Sequence, residues 1–397
     1  MSSFKVNSNE NELNEGDIVD KDYLIGNVHS TGTSSVIRLA KHLPSSTSLA
    51  VKIVKKNSND YNHINSEIKI WSKLNHDNVL PLLHQTVIHQ YFLIFSPICF
   101  KGSLLTHLSK YFYNGMSLTR SSNVFKQIVN GLQYLHNECK IVHRDLKLEN
   151  VLLNSSGNWV LTDFGLSLDF SDSQSYENFH LSSGSLPYAS PELIKPNKYK
   201  NLSSNNYFDD LIKCDIWSLG CILYALLCGK LPFFDNLVPR LQMKILSGKF
   251  INPPLLKSNS KSRERSRTRS TSRSRYKEMN NSDYSNEVLN LLHQCLNLDP
   301  NQRPFTNQIL TNNWVNDNKN TQQHYFSHNY QFTSRSTSRT RSNERSRSRS
   351  RIRNQSTQPL STLTESLFSS TEDSDDDQTI TRGRPTIKRN LSINTNF

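Results

Sequence analysis

The sequence of 397 residues has little that would stabilise a secreted domain. Its six cysteines are scattered and include no Cys-x-x-Cys pair, which is typical of reduced intracellular thiols and predicts neither disulfides nor zinc. The opening stretch MSSFKVNSNENELNEGD is polar and lacks the apolar segment of a secretory signal. We therefore expect a cytoplasmic or nuclear location, or both.

Long apolar runs are also scarce. The best candidate for a membrane span, residues 216–228, is shorter than the roughly 20 apolar residues that a span needs, and it directly follows Asp215. We expect a buried helix of a globular domain at this place and no membrane partner.

Glycine is sparse in the one stretch where it would be most informative. The segment HSTGTSSVIRLAKH, residues 29–42, contains a single glycine, Gly32, among small polar residues just before an apolar run. On its own, the segment fits either a phosphate-binding loop with few glycines or an ordinary hairpin. The rest of the chain has to decide between them.

Basic charge is abundant, but it is concentrated in one region. Residues 257–355 contain 19 basic and 7 acidic residues, net +12, out of +13 for the whole chain. Two Arg/Ser tracts supply this charge, residues 261–275 and 333–353, and an acidic run follows at residues 371–377. With almost no apolar residues, both tracts are predicted to be disordered. They suit docking on nucleic acid or protein, or a solvated linker.

Between the tails, the hydrophobic pattern changes once along the chain. Short β-branched segments such as VIRLA and SLAVKIV come first, and helical spacing of apolar residues dominates from Ser103 onward. The first Arg/Ser tract interrupts this helical part, which suggests a long surface insertion.

The strongest chemical signal is IVHRDLKLENVLL at residues 141–153, followed by LTDFGLS at residues 161–167. Two aspartates, an asparagine and a lysine around short strands suit phosphoryl transfer, which needs a carboxylate beside the attacking hydroxyl, metal ligands and a fixed cation. The two motifs resemble those of the eukaryotic protein kinases. The chain is most similar in motif to the calmodulin-dependent and AMP-activated kinase branch.

This resemblance implies an α+β, bilobal fold with a small β-rich N-lobe and a larger helical C-lobe. The implied domains are a disordered tail at 1–22, an N-lobe at 23–95, a hinge at 96–101, a C-lobe at 102–315 with a disordered insertion at about 257–283, and a disordered tail at 316–397.

The resemblance also implies the catalytic roles. Asp145 matches the base that accepts the proton of the substrate hydroxyl, and Lys147 the contact to the transferred phosphoryl group, as in serine/threonine kinases. Lys52 in LAVKIV matches the lysine that binds the α- and β-phosphates of ATP, and Glu67 its partner. The expected Mg²⁺ ligands are Asn150 and Asp163.

The remaining nucleotide contacts follow from the same register. With Ile37 at the family's valine position, its three loop glycines fall at Ser30, Gly32 and Ser35, so only the middle one is kept. Ala50 would cover the adenine. The other expected contacts are Leu152 and the backbone of Ile98 and Cys99, with either Ser96 or Phe95 at the gatekeeper position.

Four further expectations concern regulation and packing. Arg144 suits a pocket for an activating phosphate, but Leu181 stands at the usual threonine position, which leaves an upstream kinase acting at Ser182 or Ser183, or none. Glu192 is expected to pair with Arg303. The resemblance also places Asp215 below the backbone of the catalytic loop, and Trp71 either against Phe164 or as an ordinary core aromatic.

Three functions remain open from the sequence. The leading one is an ATP-dependent serine/threonine kinase acting on proteins. The sparse glycine loop, and Pro97 where a hinge glutamate is common, favour a pseudokinase scaffold instead. The Arg/Ser tracts favour a nucleic-acid-binding protein.

Overall fold

The computed structural model describes residues 13–32, 35–56, 61–172, 184–195, 207–253 and 281–316. The chain divides into two units, Met1–Leu360 and Ser361–Phe397, and the described residues all lie in the first. The predictions for Ser182 and Ser183, both Arg/Ser tracts and nearly the whole C-terminal tail concern residues outside this described part.

The N-lobe contains a six-stranded antiparallel sheet and one helix. The elements are β1 (Ile18–Val19), β2 (Tyr23–Thr31), β3 (Ser35–His42), β4 (Thr47–Lys55), α1 (Tyr61–Trp71), β5 (His84–Ile88) and β6 (Tyr91–Pro97), with strand order β1-β2-β3-β4-β6-β5. Alternation along the strands buries one face, where Ile25, Val51 and Phe95 are fully enclosed.

The register of the three middle strands decides which residues share the other face. In β4, Lys52 lies opposite Ile37 of β3 and Ile94 of β6. Two residues earlier, Ala50 lies opposite Ser96. Because cross-strand partners project from the same side of a sheet, this register assigns Ser96 to the gatekeeper position, whereas Phe95 packs into the core.

The sheet begins earlier than the sequence predicted. β1 pairs with the start of β2, and Val19 is 2% exposed in the core of the lobe, although residues 1–22 were expected to be a disordered tail. An apolar pair between acidic residues is too short to show a periodicity, which explains why the pattern missed it.

The C-lobe is mainly helical. Its helices are α2 (Leu104–Tyr111), α3 (Leu118–Gln133), α4 (Pro191–Ile194), α5 (Tyr207–Cys228), α6 (Val238–Ser247), α7 (Asn281–Cys295), α8 (Thr306–Leu310) and α9 (Asn313–Asn316). Serines cap the first two, since Ser103 accepts from the backbone N–H of Thr106 and Ser117 from that of Arg120. α7 begins slightly before the expected end of the insertion near residue 283.

The long apolar segment of the sequence is the central helix of the C-lobe. α5 is apolar enough to pass a length and composition test for a membrane span, but 89% of its most apolar window is buried inside the fold. Ile216, Trp217 and Leu219 are fully buried. This burial is typical of the core helix of a globular domain, as the sequence predicted.

Two short antiparallel strand pairs carry the loops that matter for the site. β7 (Ile141–Val142) pairs with β10 (Leu168–Asp169), and β8 (Val151–Leu153) pairs with β9 (Trp159–Leu161). The loop from β7 to β8 carries Asp145, and the loop from β9 to β10 carries Asp163. These pairs hold the two acidic loops close to each other.

Candidate active site

An ion pair joins the sheet to the helix of the N-lobe. The Nζ atom of Lys52 lies 2.7 Å from Oε1 of Glu67 and 3.4 Å from Oδ1 of Asp163. Burial alone would lower the pKa of Lys52, but the two carboxylates outweigh it and raise that pKa above its ordinary value. Lys52 is therefore a fixed cation at the mouth of the site.

The two predicted metal ligands, Asn150 and Asp163, both have side-chain oxygen atoms. The Nδ2 atom of Asn150 donates to the carbonyl oxygen of Asp145 at 2.9 Å. This hydrogen bond fixes the orientation of the amide group through its nitrogen atom. The carboxylate of Asp163 remains 44% exposed. Burial alone would raise the pKa of Asp163, but the ammonium groups of Lys52 and Lys147 outweigh it and hold that pKa below its ordinary value. An ionised carboxylate and an amide fit a hard cation such as Mg²⁺.

The carboxylate of Asp145 is held from both sides. One oxygen, Oδ2, accepts a hydrogen bond from Lys147 at 2.6 Å. The other, Oδ1, accepts from the backbone N–H of Ser185 at 3.1 Å and from its hydroxyl at 2.9 Å. Lys147 also contacts the Ser185 hydroxyl at 3.0 Å, so the three side chains form one network.

A buried carboxylate below the loop fixes its backbone. Asp215 accepts hydrogen bonds from the backbone N–H groups of His143 and Arg144, each at 2.8 Å, as the resemblance implied. It also contacts the ring of His136 at 2.8 Å. Burial alone would raise the pKa of Asp215, but the His136 hydrogen bond and neighbouring charge lower it. The carboxylate of Asp215, which supports the loop, therefore stays ionised.

Strain accompanies this support. Arg144 and Asp163 both have a φ of 67°, in the left-handed region that non-glycine residues rarely adopt. Such conformations cost roughly 1–3 kcal/mol each and persist where surrounding contacts impose them. The hydrogen bonds of Asp215 supply such contacts at Arg144.

A row of rings connects α1 to the catalytic loop. The ring of Trp71 lies 6.0 Å from that of Phe164, and Phe164 lies 5.4 Å from the ring of His143. Trp71 therefore does face Phe164. All three residues are buried, so a movement of α1 is transmitted to the loop by packing.

The predicted adenine contacts lie on the open face of the sheet and beside it. Ala50 is paired with Ser96, and Ile37 with Lys52, which places these four on one face. Below them, Leu152 of β8 forms an isolated bridge with Ser103.

The predicted hinge contacts follow directly after β6. Ile98 and Cys99 come next in the chain after Pro97, the last residue of the strand. Cys99 is buried, and burial raises the pKa of its thiol to about 11, so the thiol stays protonated.

The glycine-poor segment runs from the end of β2 into β3. Ser30 lies in β2 opposite Ile37, and the backbone N–H of Gly32 donates to the carbonyl of Ser35 at 2.8 Å. Gly32 does not have a positive φ, and a Cβ there would meet Ser35 only at ordinary contact distance. Its backbone therefore does not require glycine in this conformation.

The expected ion pair of the C-lobe is present. Arg303 donates to both carboxylate oxygens of Glu192, at 2.5 and 2.9 Å, in a bidentate arrangement. Burial alone would raise the pKa of Glu192, but the guanidinium outweighs it and lowers that pKa. The pair anchors α4, and with it the segment that brings Ser185 to Asp145.

The predicted catalytic groups line one space. A cavity of about 220 Å³ is bounded by Lys52, Glu67, Asp145 and Asp163, together with Gly165. The fixed cation, the held carboxylate and one predicted metal ligand thus face the same volume, as phosphoryl transfer needs.

Comparison with known proteins agrees with this geometry. The model of the protein kinase domain family matches residues 24–315, which is most of the chain. The chain belongs to the protein kinase family. Its N-lobe sheet, helical C-lobe and catalytic loop are those of a kinase domain.

Two curated relatives refine this placement. The chain is 28% identical over 296 residues to the serine/threonine-protein kinase SIK2 of Gallus gallus, and 30% identical over 288 residues to a SIK3 homolog of Danio rerio. These matches cover 74% and 72% of this chain but only 32% and 20% of the relatives. Both relatives are serine/threonine-protein kinases, in agreement with the serine/threonine type that the sequence resembles.

Sequence reasoning missed one residue at the centre of the kinase site. Ser185 holds Asp145 and Lys147, yet it was read only as part of the segment GSLPY. Preceding Gly184 has a φ of 121°, and a Cβ there would lie 3.0 Å from the carbonyl oxygen of Arg144. The glycine before a hydroxyl residue was the available signal, because it permits this close approach.

Two other missed residues support the kinase site from behind. His136 lies in a π-helical turn, Tyr134–Glu138, at the end of α3, and such turns redirect side chains. Lys73 follows α1 and donates to the buried Asp169 of β10 at 2.6 Å. Neither residue belongs to a motif, so only the fold reveals them.

Proposed function

We propose that this chain is an ATP- and Mg²⁺-dependent serine/threonine protein kinase that transfers the γ-phosphoryl group of ATP to protein hydroxyls. One observation carries the proposal: Asp145 is held by Lys147 and Ser185 in the cavity that Lys52 and Asp163 also line. A carboxylate, a fixed cation and an oxygen ligand arranged in this way suit in-line phosphoryl transfer.

The residues divide the work as follows. Lys52, kept charged by Glu67, binds the α- and β-phosphates, while Ala50 and Ile37 cover the adenine. Asn150 and Asp163 would hold Mg²⁺, and the ion would supply charge neutralisation at the phosphate oxygens. Ser96 at the gatekeeper position leaves the rear of the adenine site lined by a small side chain.

The transfer step centres on Asp145. Its carboxylate orients the substrate hydroxyl and accepts its proton as the oxygen attacks phosphorus, and the bond to the leaving β-phosphate oxygen breaks. Lys147 lies 2.6 Å from the same carboxylate and is placed to contact the transferred group. Ser185 prevents the carboxylate from rotating away.

The scaffold alternative lacks support from the site. A pseudokinase would not need Lys52 charged and paired, Asp163 ionised and Asp145 held by three donors from Lys147 and Ser185. The glycine-poor loop affects the affinity for ATP rather than these groups.

The carboxyl group of Glu149 favours substrates that contain basic residues. Glu149 is half-buried beside Tyr188, and burial raises the pKa of its carboxyl. A guanidinium group of a substrate would stabilise the ionised form of this carboxyl. We propose that Glu149 selects arginine before the phosphorylated residue. A peptide array in which Glu149→Gln leaves the arginine preference unchanged would contradict this.

The proposed partners extend beyond the substrates. An upstream kinase acts at Ser182 or Ser183, with Arg144 as the receptor of the phosphate, and the Arg/Ser tracts dock on nucleic acid or protein. The Arg144 guanidinium donates to the carbonyl oxygen of Leu166 at 3.1 Å, directly after Gly165. A phosphate there would therefore act on the metal-binding loop. The proposed location is the cytoplasm or nucleus.

A phosphosite map tests the proposal. Purified wild-type chain and Asp145→Asn are incubated with ATP, Mg²⁺ and a generic protein substrate, and phosphoserine and phosphothreonine are mapped by mass spectrometry. We expect new sites with the wild type and with Asp209→Asn, a charge-matched control on α5, and none with Asp145→Asn. Equal background signals from wild type and Asp145→Asn would favour the scaffold.

A further inference from the structure

A surface outside the catalytic site combines aromatic and basic side chains. It consists of the end of α2 and the following loop, and we call it the α2 aromatic surface; its members are His107, Lys110, Tyr111, Phe112, Tyr113 and Arg120. None of them lines the cavity that contains Lys52 and Asp145.

Contacts between rings and cations join His107, Lys110, Tyr111, Phe112 and Arg120. The ring of Tyr111 lies 5.7 Å from that of His107 and 6.4 Å from that of Phe112. The Nζ atom of Lys110 lies 5.3 Å from the centre of the Tyr111 ring, and the guanidinium carbon of Arg120 lies 4.8 Å from that of Phe112. Cations thus already sit against the aromatic rings.

Two tyrosines of the surface are exposed to solvent. Tyr111 is 52% exposed and Tyr113 is 66% exposed, although both are large side chains next to a packed helix. Neighbouring Leu108 is fully buried, so α2 directs its apolar face inward and leaves the tyrosines outside. Exposed apolar area rimmed by charge is typical of a binding surface.

The stretch of chain that carries the surface contains basic residues and no acidic ones. Residues 78–137 contain no aspartate and no glutamate, whereas they contain four basic residues, Lys101, Lys110, Arg120 and Lys126. The cations of this stretch attract an anion. The complementary ligand is a polyanion that also presents flat rings.

We propose that the α2 aromatic surface binds single-stranded RNA. Unpaired bases present π-faces that stack on tyrosine rings, while the phosphates between them pair with Lys110 and Arg120. A duplex would hide the base faces, and an acidic protein segment would supply charge without rings. Among unpaired nucleic acids we propose RNA, and the test below uses an RNA oligomer.

The test separates stacking from charge in the full-length protein. Binding of a fluorescent oligouridylate is compared with binding of an abasic oligomer that has the same length and charge. The Arg/Ser tracts contain no aromatic residue, so their charge contributes equally to both ligands. We expect the oligouridylate to bind about tenfold more tightly, because each stacked base adds affinity.

The variants assign this preference to the two tyrosines. Tyr111→Ala with Tyr113→Ala should bring the ratio of the two affinities close to 1, whereas Tyr111→Phe with Tyr113→Phe should keep it. The control is Val238→Ala with Met243→Ala, which removes exposed apolar groups of α6 and should leave the ratio unchanged. An unchanged ratio in the alanine pair, with an unaltered thermal unfolding midpoint, would overturn the proposal.

Cross-linking and ionic strength give two independent checks. A 4-thiouridine oligomer should cross-link to the peptide that contains Tyr111 and Tyr113, and cross-links confined to residues 254–280 or 317–397 would overturn the proposal. Lys110→Gln with Arg120→Gln should reduce the slope of log affinity against log salt by about 1 to 2. Tighter binding of an anionic peptide than of RNA would assign the surface to a protein partner and also overturn it.

Discussion

At the scale of single residues, catalysis depends on how firmly one carboxylate is oriented. Asp145 has donors on both of its oxygens, and two of those donors come from Ser185, which lies 40 residues further along the chain. An orientation maintained by a second segment is lost when that segment moves. This makes Ser185 a positioning residue that couples the segment after Gly184 to the chemistry.

The first prediction concerns this hydroxyl. Ser185→Ala should lower kcat by about tenfold to a hundredfold, because a displaced catalytic group loses near-attack geometry, while the KM for ATP stays within about twofold. Ser185→Thr keeps the hydroxyl and should retain most of the activity. Steady-state kinetics with varied ATP measure both constants, and a raised KM at unchanged kcat would show that Ser185 serves nucleotide binding instead.

The sequence could predict residues that sit in motifs and not those that meet only in the fold. Lys52, Asp145, Asn150 and Asp163 were found because their neighbours are distinctive. Ser185 escaped because its contact depends on where Gly184 places the chain in space, and no local pattern encodes that distance.

At the scale of elements, α1 is fastened at its C-terminal end. Lys73 donates to the carboxylate of Asp169 at 2.6 Å, and Ser171 donates to the other oxygen of that carboxylate from its backbone and hydroxyl. Burial alone would raise the pKa of Asp169, but these donors lower it. Since Asp169 is in β10, shortly after Phe164, the contact joins the helix that carries Glu67 to the loop that carries Asp163.

The second prediction follows from this contact. In a double-mutant cycle, Lys73→Ala and Asp169→Asn should show a coupling of about 1 to 3 kcal/mol in the free energy of unfolding, because one partner is buried. The kinase activity of the double variant should also be at least that of the less active single variant. Urea denaturation and initial rates supply the two readouts.

A neighbouring ion pair provides the matched control. Lys69 pairs with Asp172 one turn earlier on α1, where the lysine is mostly exposed. The cycle of Lys69→Ala and Asp172→Asn should give a clearly smaller coupling, because solvent screens an exposed pair. Equal couplings in the two cycles would mean that burial of Asp169 is irrelevant.

Elements themselves were predicted where their period is long enough to read. The helices α3, α5, α6 and α7 and the strands β3 and β4 follow apolar spacing that the sequence displays. β1 was missed, because two residues cannot establish a period, and its pairing with β2 is a tertiary event.

At the scale of the whole molecule, buried carboxylates connect the loops to α5. Asp215 is 1% exposed and joins α3, through His136, to the catalytic loop, through His143 and Arg144. Its pKa in the folded state lies below its ordinary value of 3.8. The unfolded chain therefore binds a proton at this group more readily than the folded one.

The third prediction is a pH dependence with a defined sign. The contribution of Asp215 to stability is fully present above pH 3.8 and is lost as the pH falls through the lower folded pKa. Asp215→Asn should be clearly less stable than the wild type at pH 7, and the difference should shrink below pH 4. Chemical denaturation at several pH values tests this, and a difference that grows in acid would contradict it.

The most direct test of the account is the rate of phosphoryl transfer by Asp145→Asn at saturating ATP, with ATP affinity measured on the same protein. We predict that the rate falls by about a thousandfold or more, while ATP binds within a few-fold of the wild type, because Asp145 acts on the substrate hydroxyl and Lys52 on the nucleotide. A variant that binds ATP normally and transfers phosphate at the wild-type rate would contradict the assignment of this site as the catalytic centre.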